Sequence, residues 1–116
     1  MTTERKENPE TTLTKQIRAL LDLMKVPHLK HFGGPLAQRG VSDLICTLPP
    51  TGRGCYIEVK VPGRKPNPEQ EAFLYSMAQA GALAFWVTSP QEMLKKLAEA
   101  GFEPARRITM QFPQGL

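Results

Sequence analysis

The feature that most constrains this chain is a pair of neighbouring strand-like segments with acids on their polar side. Residues 53–60 read Arg-Gly-Cys-Tyr-Ile-Glu-Val-Lys, and the alternation of apolar and polar side chains is typical of a strand. The segment before it, residues 42–48, is also strand-like and carries Asp43 near its start. Pairing of the two strands can place Asp43 beside Glu58 and Lys60 on one face of a sheet.

This grouping of two carboxylates and one ammonium has a chemical interpretation. Two carboxylates at close range repel each other, and a divalent cation with oxygen ligands relieves the repulsion. Asp43 and Glu58 are therefore candidate ligands for Mg²⁺ or Mn²⁺, with the backbone carbonyl of Val59 as a third oxygen. Lys60 could orient or deprotonate a water, or stabilise charge on a phosphate. The alternative is an interaction protein in which Glu58 and Lys60 form a surface pair along a strand.

Three short segments in order resemble a known nuclease family. They read Gly-Val-Ser-Asp-Leu-Ile at 40–45, Ile-Glu-Val-Lys at 57–60 and Pro-Glu-Gln at 68–70. The ordered set, at these separations and in a strand–strand–helix context, resembles the VRR-NUC (virus-type replication-repair nuclease) family of the PD-(D/E)XK superfamily. The resemblance covers roughly residues 13–92. It implies an α/β fold with a mixed central β-sheet flanked by helices, a restriction-endonuclease-like core, and a catalytic set made up of Asp43, Glu58, Lys60 and Gln70.

The sequence departs from the family pattern at two places. Ser42 stands where the family usually has a proline, which shapes the backbone and is not a ligand. The family also usually carries an acid on its first helix, and no acid sits clearly at that position here. Glu10 is the nearest candidate for this further metal ligand, and it lies at or before the predicted helix start. Whether one or two metal ions bind is therefore left open.

The resemblance implies a metal-dependent DNA endonuclease that hydrolyses phosphodiesters in branched DNA, similar to a Holliday-junction resolvase. It also implies a homodimer, whose two-fold symmetry suits paired cuts. One alternative is a flap- or end-processing repair nuclease of the same superfamily. The other is a non-catalytic nucleic-acid-binding module, which predicts loss of Asp43, Glu58 or Lys60, and all three are present. No helix has the density of Arg, Asn and Gln expected of a major-groove reader.

Composition agrees with a nucleic-acid partner. The formal net charge of +4 favours an acidic ligand, although a small basic excess is also common among other domains. Four basic residues in predicted loops are candidates for contacts with DNA phosphates, which fix position without reading sequence: Arg39, Arg53, Arg64 and Lys65. The last two follow the Glu-x-Lys strand directly between two prolines, and the alternative for them is an ordinary solvated loop.

Length and sequence order predict one domain. We expect a flexible polar leader over residues 1–11 and a single nuclease domain over 12–116. The polar start does not resemble a secretory signal, and no apolar run approaches the roughly 18 residues of a membrane span, so we predict a cytoplasmic protein without membrane contact. The two cysteines, Cys46 and Cys55, are expected to be buried free thiols rather than a disulfide.

The predicted element order is helix, strand, strand, strand, helix, strand, helix. The first helix is expected from about residue 12 to 25 with Thr11 or Thr12 as its cap, followed by a short strand at 29–32. His28 and His31 should then lie on opposite faces, as surface or DNA-facing residues rather than metal ligands. Residues 102–116 could form an extra strand, a dimer contact or a DNA-contacting tail.

The second half of the chain carries clear helix signals. Asn67 and Pro68 start a helix whose predicted buried stripe is Phe73, Leu74, Met77 and Ala80. Gln70 is expected either to close a capping box or to support catalysis, two roles that compete for one side chain. Residues 83–88 predict a strand buried on both sides, parallel to a neighbour, with Trp86 in the core rather than against a base. Ser89-Pro90-Gln91-Glu92 then starts the last helix, with apolar side chains at Leu94, Leu97 and Ala98.

Overall fold

The computed structural model describes residues 7–34 and 38–104. The predicted order of elements is confirmed there: α1 (Pro9–Leu23), β1 (His28–Lys30), β2 (Leu44–Leu48), β3 (Arg53–Val59), α2 (Pro68–Gln79), β4 (Leu83–Val87) and α3 (Pro90–Glu99). The alternatives raised for 102–116 fall almost wholly outside the described residues, since only 102–104 are described. No helix in the described parts of the chain is long and apolar enough to cross a membrane.

The four strands form one mixed sheet, as predicted, in the order β1-β2-β3-β4. The first three strands are antiparallel neighbours, and β4 runs parallel to β3. Because two parallel neighbours need a crossover, α2 spans the sheet between them. Helices α1 and α3 contact each other and cover one face, hereafter the α1–α3 face. Helix α2 contacts β3 and β4 on the opposite side, hereafter the α2 face.

The hydrophobic core lies on the α1–α3 face. Alternate residues of the three longer strands are buried there against the two helices: Leu44, Cys46, Leu48, Cys55, Ile57, Val59, Phe85 and Val87 from the strands, with Ile17, Leu21, Met93 and Leu97 from the helices. Cys46 and Cys55 are paired residues on β2 and β3, and both are buried free thiols as predicted. The hydrogen bond with Cys46, together with burial, raises the pKa of the Cys55 thiol.

Helix α1 begins three residues earlier than predicted. Its N-cap is Asn8, whose side-chain oxygen accepts a hydrogen bond from the Glu10 amide at 2.8 Å, so Thr11 and Thr12 are not the cap. Pro9 takes the first helical position, which suits its fixed φ and missing amide hydrogen. Pro9 therefore belongs to the helix and not to the predicted leader, because an Asn-Pro pair among polar residues is also a helix start signal.

The α2 face is less buried than the sequence predicts. Of the expected α2 stripe only Leu74 is buried, whereas Phe73 and Met77 are half-buried and Ala80 is exposed. The prediction of Trp86 in the core is wrong, because 40% of its surface is exposed. Within the described sheet β4 is the last strand, and α2 covers this edge only partly. On the last helix Ala98 is likewise exposed, and Met93 is buried with Leu97 instead.

Candidate active site

Asp43 lies where β2 enters the sheet, and its side chain continues the strand pairing. The regular pairing of β2 with β3 ends at Leu44 and Ile57. Beyond it, Oδ2 of Asp43 accepts a hydrogen bond from the Val59 amide at 2.7 Å, replacing a backbone acceptor. On the other side, the Asp43 carbonyl accepts from the His31 amide at 2.8 Å. Both neighbouring strands thus hold Asp43 in place while its carboxylate stays half-buried.

Glu58 and Lys60 project to the α2 face because they alternate with the buried Ile57 and Val59 along β3. The Glu58 side chain is nearly inaccessible, with 1% of the residue exposed. Its Oε2 accepts a hydrogen bond from Gln70 Nε2 at 2.9 Å and lies 3.3 Å from Lys60 Nζ. Its Oε1 is buried and has no hydrogen-bond partner among the described residues. A buried carboxylate oxygen without a donor is unfavourable and suggests a site for a positive group.

The electrostatics of the cluster penalise a second negative charge. Burial and, after it, charge repulsion from the neighbouring Asp43 carboxylate together raise the pKa of Glu58 to about 8. Lys60 acts in the opposite direction, but one ammonium does not offset both effects. Glu58 therefore holds its proton at neutral pH unless a further cation approaches. A hard divalent ion with oxygen ligands would supply that charge, and the two carboxylates and the unpartnered oxygen form a donor set that fits it.

Gln70 contacts both the helix cap and the site at once. The prediction that capping and contact with the site compete for this side chain is therefore wrong. Its Oε1 accepts a hydrogen bond from the Asn67 amide at 2.9 Å and, together with the bond from the Gln70 amide to Asn67, completes a capping box. Its Nε2 donates to Glu58 at the same time. The two ends of one amide thus start helix α2 and fix the buried carboxylate.

Gly40 and Ser42, which precede Asp43 in the chain, set the path of the backbone into the site. Gly40 has φ of 81°, and a Cβ there would lie 2.5 Å from the carbonyl oxygen of Glu69 on α2. Only glycine allows this contact, and no local sequence pattern predicts it. Ser42, at the position where the family usually has proline, is fully buried and donates from Oγ to the Leu44 carbonyl at 3.1 Å. The serine is thus satisfied within the strand start.

The first-helix candidate Glu10 reaches the Lys60 side of the cluster. It lies in the first turn of α1 and lines a pocket of about 370 Å³ together with Lys60, Arg64 and Lys65. Within the described ranges, however, no group of three or more acids, histidines or cysteines is close enough together to hold a metal ion. Glu10 is therefore a neighbour of the Asp43–Glu58 pair rather than part of one compact cluster with it.

A second pocket of about 410 Å³ opens on the Asp43 side. Its lining includes Asp43, Gln70, Arg39, Lys30 and His31. Arg39 is exposed, and its Nε lies 3.7 Å from a carboxylate oxygen of Glu69, a surface pair of small energetic weight. Lys30 was not singled out from the sequence, and His31 was recognised only as DNA-facing or surface-exposed. The sequence feature that could have indicated both residues is their position at the end of a short strand, just before the turn at Gly33 and Gly34.

Arg53 is not brought to the site. It begins β3, whereas Lys60 follows the end of that strand, and seven residues of strand span roughly 20 Å. Its Nε donates to the Gly81 carbonyl at 3.1 Å, near the end of α2. Its predicted contact with DNA would have to be made far from the carboxylates.

Comparison with known proteins agrees with this geometry. A solved structure described as a "VRR_NUC domain" superposes with a TM-score of 0.66 and 26% sequence identity, covering 80% of this chain and 97% of that chain. The resemblance to the VRR-NUC family is confirmed. The mixed four-stranded sheet with three helices is the α/β fold expected from it. No family model matches the sequence, and the search of curated proteins gave no match. The VRR-NUC likeness therefore rests on the structure and on the strand-borne motif.

Proposed function

We propose that this chain is a metal-dependent nuclease that hydrolyses phosphodiester bonds in DNA. The observation that carries the proposal is the buried Glu58 carboxylate on a VRR-NUC-like fold: beside Asp43 and Lys60, one of its oxygens has no hydrogen-bond partner among the described residues. A carboxylate pair of this kind is poorly suited to a purely structural role, since the buried acid has an unfavourable environment without an added cation.

Asp43, Glu58 and the Val59 carbonyl would hold Mg²⁺ or Mn²⁺, with Glu10 as a further ligand approaching from α1. When bound, the ion supplies Lewis acidity toward a phosphate oxygen and lowers the pKa of a coordinated water. The side chains around the ion would position its ligands and the substrate. Gln70 keeps the Glu58 carboxylate in one orientation by donating to Oε2 at 2.9 Å. Without the hydrogen bond from Gln70, the Glu58 carboxylate would still be present but would be misplaced as a metal ligand.

Lys60 is the residue best placed to act on the substrate. Its side chain is 18% exposed, so the ammonium reaches the surface while its position is set by Glu58 at 3.3 Å. From there it can donate hydrogen bonds to a phosphate oxygen or to the attacking water, and so stabilise charge that develops during cleavage.

The basic residues on the two sides of the cluster would hold the DNA strand. Arg64 and Lys65 line the pocket next to Lys60, and Arg39 lines the pocket next to Asp43. Contacts to backbone phosphates from these positions fix the strand across the carboxylates without reading its sequence. Arg53 would add only a remote contact, since it lies at the other end of β3.

We further propose that the preferred substrate is branched DNA and that the active form is a homodimer, as in junction resolvases. The support is the family resemblance, together with the composition of α1, α2 and α3, which lack the density of Arg, Asn and Gln expected of a major-groove reader. Two sites related by two-fold symmetry would cut both strands of a junction.

The test is cleavage of labelled four-way junction, flap, fork, duplex and single-stranded DNA with Mg²⁺ or Mn²⁺. The variant Glu58→Gln removes the negative charge of the proposed ligand, and Glu71→Gln on the exposed side of α2 is the matched control. We expect metal-dependent cutting by the wild type and by Glu71→Gln, and none by Glu58→Gln. Paired cuts in the junction support the resolvase, whereas cuts only in flaps or ends support the repair nuclease. Activity in Glu58→Gln, or binding without cleavage by the wild type, would overturn the proposed chemistry.

A further inference from the structure

The pocket on the Asp43 side has features that the proposed hydrolysis does not use. Besides Asp43 and Gln70, it is lined by the basic residues Lys30 and Arg39 and by His31. Its two acids already have partners, because Asp43 Oδ2 accepts from the Val59 amide and Glu69 pairs with Arg39. Of the other lining residues, Lys30 and His31 form no ion pair with another described residue, so these two groups remain to face an anion.

Strand β1 fixes these groups next to the carboxylates. The pairing of Lys30 with Leu44 and the hydrogen bond of 2.8 Å from the His31 amide to the Asp43 carbonyl hold the end of β1 against β2. Because side chains alternate along a strand, His31 projects to the same face as Asp43. A phosphate in this pocket would thus lie one strand away from a phosphate held at Asp43.

An exposed aromatic residue, Phe32, lies in the chain between His31 and Gly33, two residues that line the same pocket. Phe32 follows His31 directly and is 75% exposed, the largest exposure of any bulky apolar residue in the described ranges. The Lys30 ammonium lies 5.4 Å from the centre of the Phe32 ring, so the ring lies beside one of the basic residues that line the pocket. The core makes no use of this side chain, so its surface is available for stacking.

We propose that this pocket and Phe32 form a binding subsite for an unpaired nucleotide next to the cleaved phosphate. The basic residues hold the phosphate of that nucleotide, and the Phe32 ring stacks on its base. An aromatic ring beside a positive groove is the usual combination for binding single strands. Bases within a duplex are already stacked on each other, so only a branch, a flap or a single strand offers a free face. The inference rests on the proposed function and refines it, because the subsite selects DNA with an unpaired base at the cut.

The test measures binding separately from cleavage. Forked DNA with 2-aminopurine at single positions of its unpaired arm is titrated in EDTA with the wild type, Phe32→Ala, Phe32→Tyr and Tyr75→Ala. Tyr75 is the matched control, since it is an aromatic residue that is 67% exposed but lies on α2 instead of next to Lys30 at the end of β1. We expect the wild type to quench 2-aminopurine emission at one position. Phe32→Ala should lose this quenching and bind the fork about ten-fold more weakly, with blunt-duplex binding unchanged. Phe32→Tyr should restore both.

The phosphate contact has its own test. A neutral methylphosphonate placed at the phosphate of the quenched nucleotide should weaken wild-type binding about five-fold, and should have no further effect in His31→Ala or Lys30→Ala. If the methylphosphonate weakened binding by the same factor in the wild type and in these variants, the assignment of this phosphate to the pocket would be overturned.

Other outcomes overturn the subsite in distinguishable ways. Equal loss of fork and duplex binding in Phe32→Ala, or the same loss in Tyr75→Ala, would remove its selectivity for unpaired bases. Full fork binding by Phe32→Ala, with metal-dependent cleavage intact, would overturn the subsite and leave the nuclease proposal standing. Failure of the wild type to bind or cut any DNA would instead overturn the proposed function itself.

Discussion

The two faces of the sheet are packed in opposite ways. On the α1–α3 face, consecutive alternate positions such as Cys55, Ile57 and Val59 are buried apolar side chains. On the α2 face, the residues between them include a buried acid, and α2 contributes only Leu74 as a buried residue. The difference shows that the chain gains most of its stability on one face and places its polar chemistry on the other. Substitutions at neighbouring residues of β3 should therefore have separate effects.

The largest expected effect concerns activity on the α2 face. Lys60→Ala removes the ammonium that would stabilise charge during cleavage, so we expect the cleavage rate to fall by more than about 100-fold. DNA binding should remain nearly intact because the other basic residues are kept. Single-turnover cleavage and fluorescence anisotropy measure the two quantities, with Lys95→Ala on the exposed part of α3 as the control. An active Lys60→Ala protein would contradict the role assigned to this residue.

Ile57, three residues before Lys60, lies on the α1–α3 face, and its substitution should reduce stability instead of activity. Ile57→Ala leaves a cavity in the fully buried core, so the free energy of unfolding should fall by about 2–5 kcal/mol. Urea denaturation measures this change, and the specific activity of the folded fraction should stay close to that of the wild type. A large loss of activity with little loss of stability would show that the two faces are not separate.

The pH dependence of stability follows from Glu58. Its pKa is raised from 4.5 to about 8, so between these values the unfolded chain releases the proton while the folded chain retains it. In metal-free buffer the free energy of unfolding should fall as pH rises through this window, with a slope of at most about 1.4 kcal/mol per pH unit from this group. Below pH 4.5 the contribution is fully present, and above about 8 it is lost.

Urea titrations of the wild type and Glu58→Gln across that range isolate the effect, since the glutamine variant should lack this slope. Added Mg²⁺ or Mn²⁺ should stabilise the wild type more at the alkaline end, because metal ligands must be deprotonated. Parallel pH profiles for the two proteins would show that the Glu58 carboxyl is not held protonated by its surroundings.

The smallest expected effect is at the contact between the start of β2 and α2. Gly40→Ala introduces a Cβ that meets the Glu69 carbonyl and also places alanine at positive φ, so we expect a loss of about 1–3 kcal/mol. Gly63→Ala is the matched control, because Gly63 has φ of 91° but no atom within 4 Å of the added Cβ. The difference between the two variants measures the contact itself. Equal losses would mean that the close approach to Glu69 is unimportant.

Much of the fold follows from local sequence signals. The alternation in 53–60, the proline and cap at Asn67-Pro68, and the capping signal at residues 89–92 each depend on a few neighbouring residues, and the structure has the elements they predict. The Asp43–Glu58–Lys60 grouping was also accessible, since strand pairing alone brings these positions together.

The remaining features depend on contacts between distant segments. Trp86 belongs to a continuous apolar run, and only its place on the last strand of the described sheet, beside a shallowly packed helix, leaves it half exposed. The burial of Glu58 depends on how α2 packs against β3. The pocket of Lys30 and His31 arises from a three-residue strand whose pairing with β2 no local pattern specifies.

The double use of Gln70 has a consequence for comparing related chains. Because one end of its amide starts a helix and the other holds an acid, selection for folding alone would preserve it. Under the proposed mechanism, a descendant without Asp43 or Lys60 would no longer cleave DNA, but it would still be expected to keep this glutamine. Its presence in a relative would thus indicate a conserved helix start, whereas under the proposed mechanism only the charged residues would distinguish an enzyme from an inactive descendant.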